Sequence, residues 1–256
     1  MNKLEKAISL SLNMDNYSGN YFSEIDASNS MEEISKMKGD NISTPDELDK
    51  SKIVYPGCMQ ETLVNQLRDI RTEINKHNNK NLIMITSIQV ASGVSFFASN
   101  IAAVTAFDAG RSSLLVECNL DAPIMESKFN LGSSNGLIEY IYDSKVKETD
   151  IIQDTGIKRY RVIHGGDCTS SSQEHFVHPR FRKLLLSLKN RYSDRTIYVD
   201  APPLTSSADA RILAELCDLV IIVLPNGKVS KSRLEAASKL IPQDKLLGVV
   251  VNNYIY

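Results

Sequence analysis

The stretch LIMITSIQVASGVSFFASNIA, residues 82–102, decides how the fold of this 256-residue chain is predicted. It opens with a short apolar run rich in β-branched residues, which is typical of a strand buried in the middle of a sheet. A loop with Gly93 and Ser95 follows, and the next residues favour a helix that ends before Gly110. The sequence therefore predicts a strand over 81–87, a loop, and a helix over 95–108.

The same alternation of strands and helices continues to the end of the chain. We predict further strands at 113–118, 196–200, 219–224 and 246–251, and helices at 61–76, 138–142, 179–191, 207–216 and 230–240. Such alternation predicts an α/β fold of three layers, in which a mostly parallel sheet carries helices on both faces. In this architecture ligands bind at the carboxyl ends of the strands.

Composition and charge exclude several classes of protein. The 29 basic and 31 acidic residues give a formal charge of -2, which provides no global electrostatic basis for binding nucleic acid. The cysteines have no ligand spacing, which favours reduced thiols in a reducing compartment: Cys58, Cys118, Cys168 and Cys217. No apolar run approaches the roughly 20 residues of a membrane span. We predict a cytoplasmic protein with no nucleic-acid partner.

The first 55 residues differ from the rest of the chain in composition. Leu4, Ile8 and Leu12 have helical spacing, which predicts a short amphipathic helix over 1–12, either frayed or used for docking. Residues 13–52 are mostly polar, so burial cannot offset the entropy lost on ordering them. We predict a helix and a mostly disordered tether over 1–55, and a folded domain over 56–256.

Three segments carry a resemblance to a known family. TSIQVASGVSFFASNIA, SLLVECNLDAP and TIYVDAPP, in this order and at these separations, resemble degraded nucleotide motifs of the bacterial tyrosine kinases (BY-kinases) of capsule and exopolysaccharide synthesis. These kinases are relatives of the MinD and ParA ATPases. The segments MNKLEKAI, LRDIRTEI, GLIEYI and LLGVVVNN extend the resemblance over most of the chain. The resemblance implies a P-loop NTPase-like fold.

The first motif departs from the family's phosphate loop, TSxxPGxGKS. In that loop backbone N–H groups surround the phosphates, the lysine neutralises them, and the serine holds Mg²⁺. Several positions match: Thr86, Ser87, Gly93 and Ser95. Val90 replaces the proline, Ala91 the first glycine and Val94 the lysine. Because valine supplies no charge and the Ala91 Cβ hinders a left-handed backbone, we expect lowered nucleotide affinity.

The second motif departs further from the residues of the family pattern than the third motif does. Glu117 and Asn119 stand where the resemblance implies two aspartates, and Asp121 and Ala122 stand at basic positions. The Asn119 side chain has no charge for a general base. Asp200 matches the third motif, which implies contact with a Mg²⁺-bound water, although an aspartate at a strand end is also a common turn or capping residue.

A helix near the start of the predicted domain matches part of a family contact. The family's ExxRxxR helix packs between subunits of a ring, and the corresponding positions here are Asn65, Arg68 and Arg71. The resemblance implies oligomer contacts through Arg68 and Arg71, and two solvated arginines are the alternative. A homo-oligomer therefore remains open.

The histidines have no recognised metal-ligand pattern. His164, His175 and His178 lie close together with Cys168 among them, but their spacing matches no known zinc arrangement. We predict no metal site, apart from Mg²⁺ held by Ser95 and Asp200 should a nucleotide bind.

The resemblance and the lost residues together predict a catalytically impaired tyrosine-kinase-like protein. It would bind and regulate a membrane polysaccharide co-polymerase, the chain-length determinant, at the inner face of the cell membrane. No catalytic residue or cofactor is expected, with ATP or ADP and Mg²⁺ as the open alternative. Two other functions remain: an active tyrosine autokinase or ATPase in which Lys228 or Lys231 compensates for the lysine, and a MinD-like or ParA-like positioning protein.

Overall fold

The computed structural model describes residues 42–77, 79–132, 134–167, 175–191 and 194–252. The helices are α1 (Pro45–Lys50), α2 (Glu61–Asn75), α3 (Val94–Ala106), α4 (Met125–Phe129), α5 (Leu137–Tyr142), α6 (Glu148–Ile151), α7 (Pro179–Arg191), α8 (Ala208–Leu216) and α9 (Lys231–Ser238). The strands are β1 (Leu82–Ser87), β2 (Ser112–Glu117), β3 (Gln153–Asp154), β4 (Tyr160–Ile163), β5 (Arg195–Asp200), β6 (Leu219–Pro225) and β7 (Leu246–Asn252). The predicted helix over 1–12 and the tether up to residue 41 lie outside the described residues.

The strands form one seven-stranded sheet in the order β3-β4-β2-β5-β1-β6-β7. All neighbouring strands are parallel except β3 and β4. Strands β1, β2, β5 and β6 are buried along their whole length, and each contains an apolar run of at least three residues. The predicted fold class is therefore confirmed.

Two apolar clusters on opposite faces of the sheet account for the three layers. On one face Leu137 of α5, Leu184 of α7 and Leu213 of α8 pack against the sheet. On the other face Leu67 of α2 and Ile101 of α3 do the same. Because neither face of the sheet is polar, helices cover it on both sides. The helix α3 is buried on all of its faces from Phe97 to Ala106.

The folded part of the chain begins earlier than the predicted boundary at residue 56. Within the segment assigned to the tether, Thr44 caps α1 with a capping box, and Leu48, Ile53 and Val54 are buried. The Asn100 side chain of α3 accepts a hydrogen bond from the Val54 N–H at 2.7 Å. A few apolar residues in a polar window are enough here, because they meet a preformed apolar surface.

The cysteines and the helices agree with simple expectations from composition. Cys58, Cys118 and Cys217 are buried and free, while Cys168 lies outside the described residues. None of the helices in the described ranges is long and apolar enough to cross a bilayer.

Candidate functional site

The three segments that carry the family resemblance meet at one edge of the sheet. Strands β2, β5 and β1 are neighbours, and their carboxyl ends carry Glu117, Asp200 and the loop that leads to Ser95. Glu117 and Asp200 are direct partners in the strand register. The Ser95 hydroxyl is close enough to Asp200 to lower the pKa of its carboxyl group. The sequence-predicted residues therefore form one site.

The loop keeps a left-handed backbone at both positions where the family has glycine. Ala91 has a φ of 57° and Gly93 a φ of 86°. The expectation that the Ala91 Cβ would keep the backbone out of this region is wrong. Ala91 is exposed, so its side chain adds only the penalty of a left-handed backbone, about 1–2 kcal/mol. At Gly93 a Cβ would also lie 2.0 Å from the Asn252 amide nitrogen, so only glycine fits.

Replacing Ala91 by glycine is expected to raise the free energy of unfolding by about 0.5–1 kcal/mol. Glycine removes the left-handed penalty of alanine, and its greater freedom in the unfolded chain cancels part of that gain. Urea unfolding measures the change. Ala109→Gly is the matched control, since Ala109 is exposed and has no positive φ. A loss of stability in both variants would contradict a strained Ala91.

Contacts from distant parts of the chain hold the loop in place. The Asn252 side chain at the end of β7 donates to the Ser92 carbonyl at 3.1 Å, and the Thr205 hydroxyl donates to the Ile88 carbonyl at 2.5 Å. These two residues were not singled out in the sequence, since both contacts join the loop to segments more than a hundred residues away. Hydrogen bonds within the chain therefore stabilise the conformation of the loop.

The position of the family lysine is apolar and partly buried. Val94 opens α3 and packs against the apolar cluster of that face. The side chains of Lys228 and Lys231, the predicted compensating lysines, are exposed, and neither makes a hydrogen bond or ion pair with a described residue. Arg233 of α9 instead reaches the loop, and its guanidinium donates to the Gln89 side chain at 3.4 Å.

Both oxygens of the Glu117 carboxylate accept hydrogen bonds from the protein backbone. One oxygen accepts from the N–H groups of Ile124 and Met125 at 2.5 and 2.9 Å, where α4 begins. The other accepts from the Gly165 N–H at 2.8 Å. Burial raises the pKa of Glu117, and the three N–H groups lower it by a smaller amount. Glu117 therefore ties α4 and the loop after β4 to the end of β2.

Asp200 has the opposite environment. Its side chain is fully buried, and neither carboxylate oxygen accepts a hydrogen bond of ordinary geometry from the described residues. Burial raises the pKa of Asp200 to about 7, although the Ser95 hydroxyl and the Lys128 ammonium both lower it. The nearby Glu117 carboxylate raises it further. A buried carboxyl without hydrogen-bond donors is costly to ionise.

The remaining residues of the second motif face solvent or a turn. Asn119 is half-buried, and its carbonyl accepts from the Ala122 N–H at 3.3 Å. Asp121 and Ala122, at the family's basic positions, are exposed. This part of the site therefore presents an amide and a carboxylate where the resemblance implies a base and cations.

The arginines of α2 make contacts within their own chain. The half-buried Arg71 donates to the Val104 carbonyl at the end of α3 at 3.0 Å. The exposed Arg68 donates to the Asn65 side chain at 3.2 Å. Their role as oligomer contacts stays a prediction, and Arg68 is the more accessible of the two.

The histidines bind separate partners. His164 pairs with the Ser134 hydroxyl at 3.1 Å, and His175 pairs with the Tyr142 hydroxyl at 2.9 Å. His178 accepts from the Arg180 N–H at 3.2 Å. Within the part of the chain that the structure describes, no group of three His, Cys, Asp or Glu residues is arranged to hold a metal ion.

The chain is similar in sequence to bacterial tyrosine-protein kinases. Tyrosine-protein kinase CpsD of Streptococcus agalactiae serotype III is 29% identical over 187 residues, which cover 72% of this chain and 79% of the relative. Tyrosine-protein kinase YwqD of Bacillus subtilis is 29% identical over 192 residues, covering 73% and 79%. No family model matches the chain.

Solved structures show the same fold. The chimerical protein CapA2B2 superposes with a TM-score of 0.71 at 24% identity, covering 90% of this chain and 100% of the other. A chain of the MinC:MinD cell division protein complex of Aquifex aeolicus gives a TM-score of 0.50 at 18% identity, covering 66% and 67%.

Proposed function

The chain is a homologue of the bacterial tyrosine-protein kinases, and from this relationship we propose that it is a pseudoenzyme that acts by binding. It serves capsule or exopolysaccharide synthesis and transfers no phosphate itself. It docks on the cytoplasmic face of a membrane polysaccharide co-polymerase and biases the assembly state of that partner.

The occupation of Glu117 carries this proposal. A residue that assists a metal or an attacking hydroxyl needs accessible lone pairs, but Glu117 is fully buried and backbone N–H groups use three of its roughly four acceptor sites. Val94 adds to the same conclusion, because a partly buried apolar side chain cannot neutralise a phosphate. The site keeps its fold, but Glu117 supports the backbone and the side chain at position 94 is apolar.

Nucleotide binding and autophosphorylation of the purified chain test the impaired site. We expect no binding of Mg-ATP at micromolar concentration and no phosphotyrosine. Val94→Lys is expected to raise the affinity for Mg-ATP by about 10- to 100-fold, since a charge-assisted hydrogen bond contributes about 1.5–3 kcal/mol. Calorimetry measures the affinity, and an anti-phosphotyrosine blot measures the product.

A second valine in the loop provides the control. Val90 is 75% exposed and lies at the same edge of the sheet, so Val90→Lys adds the same charge without placing it at the lysine position. We expect Val90→Lys to change the affinity by less than about threefold. Micromolar affinity or phosphotyrosine in the unmodified chain would refute the pseudoenzyme.

An exposed apolar surface supports a function in protein binding. A groove of about 900 Å³ runs between α2 and β7. Met59, Val249 and Val251 line it with exposed fractions of 103%, 41% and 49%. Clustered apolar side chains at a surface favour a protein partner. In cells, Met59→Asp combined with Val251→Asp should alter polysaccharide chain length as a deletion does, while the purified variant stays folded. A normal length distribution would contradict this role of the groove.

Retained nucleotide binding is the second candidate function, and Arg233 is the observation that favours it. Its hydrogen bond to Gln89 places a guanidinium at the loop, where it could replace the missing lysine charge. The same affinity measurement separates the two functions. If the unmodified chain binds Mg-ATP and Arg233→Gln abolishes that binding, an arginine-assisted nucleotide site is the correct description.

A further inference from the structure

A second groove lies apart from the site at the strand ends. It has a volume of about 760 Å³ and is lined by three parts of the chain: residues 42–44, 47, 48, 50, 51 and 53, the second half of α4 with Asn130, and residues 154–156. This size suits a small organic molecule. Its first wall lies in the segment that was predicted to be a disordered tether.

The walls of the groove are fixed by contacts that do not need a ligand. The Ser43 N–H donates to the Gly156 carbonyl at 3.0 Å, and the Ser43 hydroxyl donates to the Thr155 carbonyl at 3.3 Å. Gly156 has a φ of 76°, and a Cβ there would lie 2.0 Å from the Ser43 hydroxyl. Two segments that are far apart in sequence are thus held in close contact, and the groove is preformed.

The carboxylates that line the groove already have partners. Glu47 accepts from the backbone N–H and the hydroxyl of Thr44 at 2.8 and 2.9 Å. Asp154 forms an ion pair with Arg161 and accepts from the Gly156 N–H at 2.9 Å. Both acidic groups of the lining are therefore engaged locally.

The lysines of the groove are left with unused donors. The half-buried Lys128 ammonium donates to the Ser51 carbonyl at 2.8 Å, which uses one of its three N–H groups. Among the described residues, no carboxylate forms an ion pair with Lys50, Lys52 or Lys128. Burial, and then the charge of Lys52, lower the pKa of Lys128 to about 8. The Asp200 carboxylate raises it by a smaller amount. A lysine with spare N–H donors and no ion-pair partner among the described residues offers a favourable place for an anion.

We propose that this groove binds a small phosphorylated molecule, with its phosphate held by Lys50 and Lys128, the lysines of the lining. A phosphate dianion matches a cluster of lysines better than a single carboxylate does, because it offers more acceptor oxygens and twice the charge. The polar remainder of the lining, including Ser127 and Asn130, suits a hydroxyl-rich organic part.

Titration with inorganic phosphate tests the site directly. Amide chemical shifts of the full chain are expected to move at 51–53 and 127–130, and not at 88–95, as phosphate is added at constant ionic strength. Lys128→Gln is expected to weaken phosphate binding by at least about tenfold, the loss of one charge-assisted hydrogen bond. Potassium chloride in place of phosphate should give no shifts at these residues.

Two further variants keep the outcome clear. Lys50→Gln changes an exposed side chain of the lining, so it should weaken phosphate binding several-fold even if Lys128→Gln disturbs the fold. Lys145→Gln removes the same charge from an exposed lysine outside the groove and should leave the affinity unchanged. Equal phosphate affinity in all variants, or shifts centred on 88–95, would overturn the proposal.

Discussion

Replacing Glu117 by alanine is expected to lower the free energy of unfolding by about 4 kcal/mol. The change leaves the N–H groups of Ile124, Met125 and Gly165 without their acceptor in a buried place. Each unsatisfied buried donor costs about 1–3 kcal/mol, and release of the buried charge returns part of that cost. Urea unfolding measures the loss.

Glu117→Asp gives the sharper form of this test. Aspartate is the residue that the family resemblance implies at this position, but its side chain is one methylene shorter and cannot reach both α4 and Gly165. We expect a loss of about 2 kcal/mol, the equivalent of one or two missing hydrogen bonds. Glu235→Ala, at an exposed position of α9, should change stability by less than about 0.5 kcal/mol. Stability unchanged in both Glu117 variants would show that its hydrogen bonds do not support the fold.

Replacing Asp200 by asparagine is expected to stabilise the protein, and to do so more strongly at higher pH. Burial raises the pKa of Asp200 from 3.8 to about 7 in the folded state. A carboxyl with a raised folded-state pKa binds its proton more tightly when folded, so stability is lost as pH rises from 3.8 towards 7. By pH 8 the loss is on the order of 4 kcal/mol, and asparagine avoids it.

The pH dependence identifies the buried charge of Asp200 as the cause of the stability change. Relative to the unmodified chain, Asp200→Asn should gain roughly 2–3 kcal/mol between about pH 5 and about pH 8.5. Urea unfolding at several pH values measures this difference. Asp244→Asn, at an exposed carboxylate, should follow the unmodified chain at every pH. An Asp200→Asn variant that is less stable throughout would show that the charged carboxylate has a favourable partner.

The Asp200 result also bears on function. A buried carboxylate that lacks well-formed hydrogen bonds lowers stability unless a metal ion or another cation binds it. Such a group persists in a pseudoenzyme only as a remnant of the site, whereas in a nucleotide-binding protein it has a use. If Mg-ATP stabilises the unmodified chain and not Asp200→Asn, the arginine-assisted nucleotide site gains support.

Much of the fold follows from local sequence patterns. The buried strands β1, β2, β5 and β6 each contain an apolar run of at least three residues, and their predicted bounds agree with the structure to within a residue. The helices α2, α7 and α8 carry apolar stripes and were also predicted. Five short elements were missed, α1, α4, α6, β3 and β4, because none of them contains three consecutive apolar residues or three apolar residues at helical spacing.

The site could be predicted as a set of residues but not as a set of contacts. The order of the motifs placed Ser95, Glu117 and Asp200 at adjoining strand ends, and the structure brings them together. The partners of Glu117 could not be predicted, because Gly165 lies 48 residues away in the chain. Asn252 and Arg233 meet the loop from 160 and 144 residues away, and no local pattern marks them.

The layered fold, the position of the loop between β1 and α3 and the valine at position 94 can be predicted from local sequence, because the apolar pattern and the identity of each residue are local properties. The hydrogen bonds of Glu117, the burial of Asp200 without well-formed hydrogen bonds and the inclusion of residues 42–55 in the folded part are visible only in the folded molecule. The tertiary structure also created the lysine-lined groove from three separate segments. Hydrogen-bond partners and electrostatic environments depend on which distant segments meet, and that is decided only when the chain folds.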